Sequence, residues 1–432
     1  MIPPVDLTRL HPAEQLVQVM DRIYRQGLTT TSGGNLSVRT EDGALWITPS
    51  GVDKGALTPG DIVRVAPDGS AHGRHRPSVE LPFHQVIYRS RPDLRGIVHA
   101  HPAGLVAFSL VRRIPDTALV RGARAACGRV GMAAYGLPGS AALGEEIGRA
   151  FADGNDAVML ENHGAVAGGA ELARAFIAFE TLEHCARIEL EARRLGAPVR
   201  ISEEGLRRAE AHERSPLEEG AAHAPDADER RAREEIVAFV RRACARGLFT
   251  SSMGSVSVRL AGGAFLVTPG AIDRLHLEPD DLVRIEGGRR EAGKRPDASV
   301  RLHGAVYARQ PHAGAVILGC PPSLGAFAAT AETFDTRTIP ECYIVLRDVA
   351  KLPFGATFVD PEATAAGLTT AAPVAIVQNE GVIATGTTLL QAFDRLEVAE
   401  HSARGLVACR SLGERVPITE DQIDAIRLAF AL

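Results

Sequence analysis

Residues 96–102 read Gly-Ile-Val-His-Ala-His-Pro. On a β-strand, residues two apart point to the same face. His99 and His101 would then aim both rings at one point, which is what a metal ion requires of a rigid strand. A further imidazole, His163, stands beside Gly164 just past the apolar run Ala157–Leu160, where a side chain is open to approach. The plainer alternatives are two half-buried strand histidines and one solvated loop histidine. Glu80 follows Ser78, a plausible N-cap, and its carboxylate would suit the first turn of a helix whether or not it does chemistry. Thr29–Gly34 and Pro49-Ser50-Gly51 are small polar turns. They could present N–H groups and hydroxyls to an anion, or serve only as hairpin turns.

The elements that must position these residues follow from periodicity. His11 to Gly27 carries Leu16, Val19, Met20 and Ile23 at helical spacing and ends on glycine. Leu36–Val38 and Ala44–Thr48 alternate as strands around a hairpin at Glu41-Asp42-Gly43, and Ile62–Val65 is another strand. A helix should follow Ser78 and carry His84. Ile97–His101 is a strand, Leu105–Leu110 a helix, Ala157–Leu160 a buried strand, and Ala165–Gly168 a strand pairing back on it. Leu172–Leu195 is a long helix whose Glu180, Glu183 and His184 are expected on a solvated or subunit-contact face.

The chain contains itself twice. Residues 27–39, GLTTTSGGNLSVR, recur as GLFTSSMGSVSVR at an offset of 220, with eight of thirteen positions identical. Thr48-Pro49 matches Thr268-Pro269, Arg76-Pro77 matches Arg295-Pro296, and Asn162-His163-Gly164 matches Asn379-Glu380-Gly381. An ordered series of matches at nearly constant offset marks a tandem duplication. The expected division is a domain at 1–212, a polar, Pro- and Ala-rich linker at 213–228, and a second domain at 229–432. His84 recurs as His303, and a histidine kept where others are lost is structural rather than chemical.

Composition narrows the functional classes. Of 432 residues, 45% are hydrophobic and 23% charged, the balance of a globular protein with two or three domains. A net charge of −5 with no basic block argues against nucleic-acid binding. No uncharged apolar run reaches the roughly 18 residues of a membrane span, and the N-terminus has no signal-peptide pattern. Six scattered cysteines without a C-x-x-C pair suit reduced thiols, hence an expected cytoplasmic location.

Ser32-Gly33-Gly34-Asn35-Leu36-Ser37-Val38-Arg39, Ile47-Thr48-Pro49-Ser50-Gly51, Pro77-Ser78-x-Glu80, His99-x-His101 and Asn162-His163-Gly164 together resemble the class II aldolase/adducin family, in its fuculose-phosphate aldolase-like form. The match spans nearly all of residues 10–200, with a weaker copy over 230–432. The resemblance implies two α/β/α domains, each around a mostly antiparallel central sheet. It makes His99, His101 and His163 ligands of a divalent metal, zinc first, with manganese or cobalt as alternatives. Glu80 becomes a metal ligand and the acid/base. Gly34, Asn35, Thr48, Ser50, Gly51 and Ser78 fall where such enzymes bind substrate phosphate. The implied reaction is cleavage of a carbon–carbon bond in a small hydroxy-carbonyl or sugar-phosphate-like substrate through a metal-stabilised enediolate. The alternatives are decarboxylation of a hydroxy or oxo acid, epimerisation, or an adducin-like interaction module.

Two departures bear on substrate. Ser78-Val79 replaces the Ser-Ser of the sugar-phosphate aldolase, removing one phosphate donor. The position of that enzyme's catalytic tyrosine, four residues past Ile114-Pro115, is Leu119. In the second copy, Ser299, Leu318, Cys320 and Glu380 replace Glu80, His99, His101 and His163. That set is not a standard zinc set. If the family's fourfold ring is kept, two chains would form a pseudo-fourfold homodimer. Arg337, Glu341 and Tyr343 are then candidates for a wall facing the first copy's site.

Overall fold

The computed structural model describes residues 7–213, 217–270 and 272–432. Its contacts divide the chain into two compact units, Met1–Thr117 with Ala123–Arg187, and Ala118–Gly122 with Ile188–Leu432. The first unit ends at Arg187 and the second resumes at Ile188.

The first unit is built on an eight-stranded sheet. Its strands are β1 Asn35–Arg39, β2 Leu45–Ile47, β3 Val63–Val65, β4 Ala71–His72, β5 Gly96–Ala100, β6 Val130–Ala133, β7 Ala157–Leu160 and β8 Gly164–Gly169. They lie in the order β4-β3-β2-β1-β5-β8-β7-β6. Every pairing is antiparallel except β6 with β7. Helices cover both faces. Helix α1, Pro12–Arg25, buries Leu16, Val19, Met20 and Ile23, as its spacing predicts, and begins with a capping box between His11 and Glu14. On the other face, helix α2, Leu81–Ser90, and the helix Ala141–Ala152 pack Phe83, Ile87, Leu143, Ile147 and Phe151 against Ile47, Val63, Ile97 and Val158. The α/β/α layering is therefore the one expected.

The second unit repeats the topology. Its strands are β9 Ser255–Arg259, β10 Phe265–Val267, β11 Val283–Glu286, β12 Arg289–Arg290, β13 Ala315–Gly319, β14 Val349–Leu352, β15 Val374–Val377 and β16 Gly381–Gly386. They run β12-β11-β10-β9-β13-β16-β15-β14, with only β14 and β15 parallel.

Three local expectations need correction. Ser78 is not the N-cap of α2: that position is Glu80, and Ser78 Oγ instead accepts from the Glu80 N–H at 3.3 Å. Glu180, Glu183 and His184 on the helix Leu172–Leu195 are buried, not solvated. Glu183 accepts the N–H groups of Gly104 and Leu105 at 3.2 and 2.9 Å, opening helix α3, Ala103–Leu110. The first N–H groups of a buried helix need acceptors from elsewhere, and helical periodicity could not show that this face met one. The expected linker is not free chain. Residues 214–216 lie outside the described residues. Beyond them Gly220 N–H donates to Arg290 O at 2.8 Å and Arg290 N–H to Glu218 O at 2.9 Å, while Leu217 packs on the second unit's core. An edge strand as short as β12 leaves backbone groups to pair, and this polar segment satisfies them.

A candidate metal centre in the first unit

The site forms at the end of β5, in the middle of the sheet. Antiparallel register sets Asn35 opposite His99 and Ser37 opposite Ile97, so Asn35 and His99 share the face that α2 covers. Glu80, at the start of α2, faces them. His101 lies one residue past the end of β5, yet keeps the same side as His99. His163 comes from the turn Glu161–His163 that joins β7 to β8, where Asn162 takes φ +54°. The three imidazole centroids form a near-equilateral triangle, 4.8 to 4.9 Å on each side.

Two glycines make this convergence possible. Gly34 has φ +71°, and a Cβ there would stand 2.6 Å from His99 O. A Cβ on Gly164 would stand 2.6 Å from Ala100 O and 2.8 Å from His101 Cδ2. Any side chain at either position would push into the strand that carries the histidines.

Hydrogen bonds fix the polarity of the site. His99 Nδ1 donates to Ala165 O at 2.9 Å, which leaves the lone pair on Nε2. That lone pair faces His101 Nε2 at 3.0 Å and Glu80 Oε2 at 3.2 Å. His163 Nε2 is 3.5 Å from Glu80 Oε1, and Glu80 Oε1 is buried without a hydrogen-bond partner. Burial, reinforced by the neighbouring imidazoles, lowers His101 to about 3 and His163 to about 4, so both rings are neutral at pH 7. Burial alone would raise the Glu80 carboxyl, and the Asn35 amide donating to Oε2 opposes that rise. A cation lying between these ring nitrogens and the Glu80 carboxylate would be held by all of them. The donor set thus fits a divalent metal, with the second ring nitrogen of His99 held by a carbonyl as in protein metal sites. Among the described residues, His99, His101 and His163 are the one group of three or more such side chains with ligand atoms mutually within 4.8 Å.

Behind the site runs a buried chain. Asn35 Nδ2 donates to Glu80 Oε2 at 2.6 Å, and Asn35 Oδ1 accepts from His84 Nε2 at 2.5 Å. His84 Nδ1 meets Ser37 Oγ at 2.7 Å, and Ser37 meets the Tyr88 hydroxyl at 2.9 Å. His84 is therefore structural, as its recurrence suggests. Its bond to Asn35, and Asn35's hold on Glu80, were invisible in the sequence, where Asn35 read only as an anion-binding residue. The signal that could have found them is the i, i+2 spacing of Asn35 and Ser37 on the same strand face.

The other expected substrate residues gather in adjoining turns. Thr48 is buried, and its hydroxyl oxygen accepts from Leu36 N–H at 3.1 Å. Ser78 N–H donates to Thr48 O and Ser50 N–H to Arg76 O, which joins the two turns. Ser50 is half-buried and Gly51 exposed with φ +69°. A Cβ on Gly33 would stand 3.3 Å from His101 Nδ1, so the 29–34 turn abuts the histidines.

In the second unit the four equivalents do not converge as ligands. Ser299 Oγ bonds Ser255 and Asp297, and Leu318 packs on the core. Burial pushes the Cys320 thiol up to about 12. Glu380 accepts from Arg121 at 3.0 Å, from Gly355 N–H at 2.7 Å and from the Thr357 hydroxyl. Tyr343 accepts from Arg427 at 2.8 Å, and Arg337 pairs with Asp335. No helix among the described residues is long and apolar enough to cross a membrane.

A family model described as the class II aldolase and adducin N-terminal domain matches residues 14–190 and again 234–407. The 3-oxo-tetronate 4-phosphate decarboxylase of Escherichia coli K12 is 31% identical over 179 residues, 40% of this chain and 84% of that protein. The 5-deoxy-D-ribulose 1-phosphate aldolase of Bacillus thuringiensis serovar kurstaki is 32% identical over 199 residues, 45% of this chain and 91% of that protein. The L-fuculose phosphate aldolase of Escherichia coli K12 is 31% identical over 189 residues, 44% and 87% of the two chains.

Proposed function

The chain belongs to the class II aldolase and adducin family, twice over, and from that premise we propose that its first unit is a metal-dependent carbon–carbon lyase, an aldolase acting on a small hydroxy-carbonyl or sugar-phosphate-like substrate. The observation that carries this reading is the convergence of three imidazoles, with ligand atoms mutually within 4.8 Å, and of the Glu80 carboxylate 3.2 Å from His99 Nε2. His99, His101, His163 and Glu80 would hold the ion, zinc before manganese or cobalt. A bound divalent cation supplies Lewis-acid polarisation of a substrate carbonyl and offsets the negative charge that develops on its oxygen.

The remaining work falls to the protein's own groups. Glu80 is the acid/base, and its two oxygens are not equivalent. Oε2 already accepts the Asn35 amide, so a proton taken up from the substrate hydroxyl goes to Oε1. From there it returns to the carbon of the departing fragment once the bond has broken. Asn35 keeps the carboxylate in one orientation throughout, because His84 fixes the amide. Gly34, Thr48, Ser50, Gly51 and Ser78 would seat the end of the substrate away from the reacting bond.

Decarboxylation of a hydroxy or oxo acid is the second reading. Leu119, at the position of the aldolase's acid tyrosine, is buried and has no proton to give. A decarboxylase is also among the relatives of similar identity.

The test is metal content of untagged protein, followed by turnover of L-fuculose 1-phosphate and of 3-oxo-tetronate 4-phosphate with added zinc, cobalt or manganese. About one equivalent per chain, lost in His101→Ala, with turnover of either compound, supports the reading. Failure to bind any of these metals would sink it. The expected assembly is a homodimer, read as a solution mass twice the 45.8 kDa of one chain.

A further inference from the structure

The first repeat ends in a covered tail whose counterpart in the second repeat is bare. Residues 195–206, LGAPVRISEEGL, recur as LGERVPITEDQI at 412–423, and each segment runs into a helix, Glu203–Glu213 in one and Glu420–Phe430 in the other. The backbone places both alike: Ile201 N–H donates to Ala118 O at 2.9 Å, and Ile418 N–H to Arg337 O at 3.1 Å. Their surroundings differ. The 195–206 tail belongs to the second unit. Val199 N–H donates to Ala329 O at 2.7 Å, and Val199 O accepts from the Asn379 amide at 2.8 Å. A Cβ on Gly205 would stand 3.0 Å from the Phe354 ring. In this arrangement Asn379 is 2% exposed and Leu195 6%. In the second tail Leu412 and Val416, the counterparts of Leu195 and Val199, are each 88% exposed.

The receiving surface also occurs twice. His101-Pro102 matches Cys320-Pro321, which puts Leu110 at the position of Ala329. Met132 pairs with Met159 as Lys351 pairs with Ile376, which puts Tyr135 at Phe354. Asn162 stands at Asn379 with the same left-handed backbone, φ +54° against +57°. In the first unit these counterparts are uncovered. Leu110 is 54% exposed and Tyr135 59%, Asn162 is exposed, and Val111 beside Leu110 is exposed as well. Apolar side chains scattered singly over a surface carry no meaning. These occupy the matching positions of a contact that the chain already makes once, and both halves of the second instance lie open.

We propose that the 412–423 tail of one chain docks on the Leu110, Tyr135 and Asn162 surface of a second copy of the same chain, repeating what 195–206 does on the second unit. Each copy carries one bare tail and one bare receiving surface, so two copies about a twofold axis satisfy both at once. Val416 O then accepts the amide of Asn162 of the partner subunit, as Val199 O accepts that of Asn379. Asn162 immediately precedes His163, so docking steadies the turn that presents the third imidazole. The proposal rests on the duplication and not on the metal. Its failure and that of the lyase reading are read separately, as mass and as cobalt content.

The test is sedimentation velocity of the full-length chain over a concentration series. The wild type runs at twice the 45.8 kDa of one chain. Val416→Asp on the tail and Leu110→Asp on the receiving surface each weaken dimerisation at least about 30-fold, the effect of losing one anchoring side chain. Both positions are exposed within the chain, so neither change disturbs its fold. Leu428→Asp is the control: that residue is equally bare, but its counterpart Ala211 is also exposed, and the dimer persists. A mixture of the Val416→Asp and Leu110→Asp chains forms a 1:1 heterodimer, because one intact tail then meets one intact surface. A monomeric wild type, a mass that keeps growing beyond two copies, or a dimer unchanged by both Val416→Asp and Leu110→Asp would overturn the assignment.

Discussion

Replacing His84 with leucine tests the buried chain that ends on Glu80. The ring is fully buried and bonds Asn35 Oδ1 on one side and Ser37 Oγ on the other. Leucine restores much of the volume but neither bond. Ser37 can turn its hydroxyl to Tyr88, 2.9 Å away, so its loss is small. Among the described residues Asn35 Oδ1 has no such second partner, and a buried orphan acceptor costs about 1–3 kcal/mol. The effect on the site is separate. A released Asn35 no longer orients Glu80, and loss of one hydrogen bond to a charged group corresponds to about 10- to 100-fold in cobalt affinity. The second unit supplies the control. His303 is equally buried and bonds Ser255 and Ser257, but Ser255 also has Ser299, and Ser257 also has Tyr307. His303→Leu should therefore cost about 1 kcal/mol or less and leave cobalt affinity unchanged. Urea midpoints and titration of the cobalt visible bands measure both quantities. The reasoning is refuted if His84→Leu keeps the wild-type midpoint and affinity, or if His303→Leu weakens cobalt binding as much.

The remaining predictions concern pH, packing and the second unit. Burial lowers His84 to about 3 and His303 to about 4, while an unfolded imidazole titrates near 6.5. The unfolded chain therefore binds more protons below pH 6.5, and stability that is complete above that value is lost as pH falls toward 4. Each ring contributes up to about 1.4 kcal/mol per pH unit, and urea midpoints across pH 7.5 to 4.5 should show the slope reduced in His303→Leu. Gly164→Ala, whose Cβ would press on Ala100 O and His101, should lower cobalt affinity at least about tenfold and destabilise by about 1–3 kcal/mol. A wild-type cobalt titration of Gly164→Ala would contradict the account of that close approach. Glu380→Ala removes one partner of Arg121, which keeps the Thr357 hydroxyl and the Phe358 ring, and should cost about 1–3 kcal/mol in urea unfolding, with the cobalt stoichiometry still one per chain.

Much of the site was legible because its signals are local. His99 and His101 are two apart, and β-strand geometry alone sends them to one face. The apolar run Ala157–Leu160 and the glycine after His163 announced the hairpin that presents the third ring. The helix Leu172–Leu195 had the predicted bounds, but the environment of its Glu183 was not legible. That environment is set by the start of α3, some eighty positions away, and no periodicity within a helix reports what packs against it. The same holds for Asn35: its type suggested a ligand donor, and only the α2 face of the sheet shows it committed to Glu80 and His84. Short or weakly alternating elements such as β4 and β6 escaped notice, since β4 is two exposed residues and β6 takes its partner in parallel across intervening chain. Segment 217–221 looked like free linker because composition measures polarity, whereas its role is to complete the hydrogen bonding of β12.

The grouping of Ala118–Gly122 with the second unit has a consequence for how the chain is made. Arg121 pairs with Glu380 across 259 residues, and Leu119 O accepts from Asn379 at a similar separation. At 5–20 residues per second, the ribosome needs roughly 13–50 s to synthesise that interval. For that time an almost fully buried leucine and a soon-to-be-paired arginine are outside the tunnel without the residues that will receive them. The β-sheet of the first unit can close around His99 and His101 well before then. Synthesis therefore delivers the half that carries His99, His101 and His163 first, while Ala118, Leu119 and Val120, buried in the finished fold, wait for the residues of the second half.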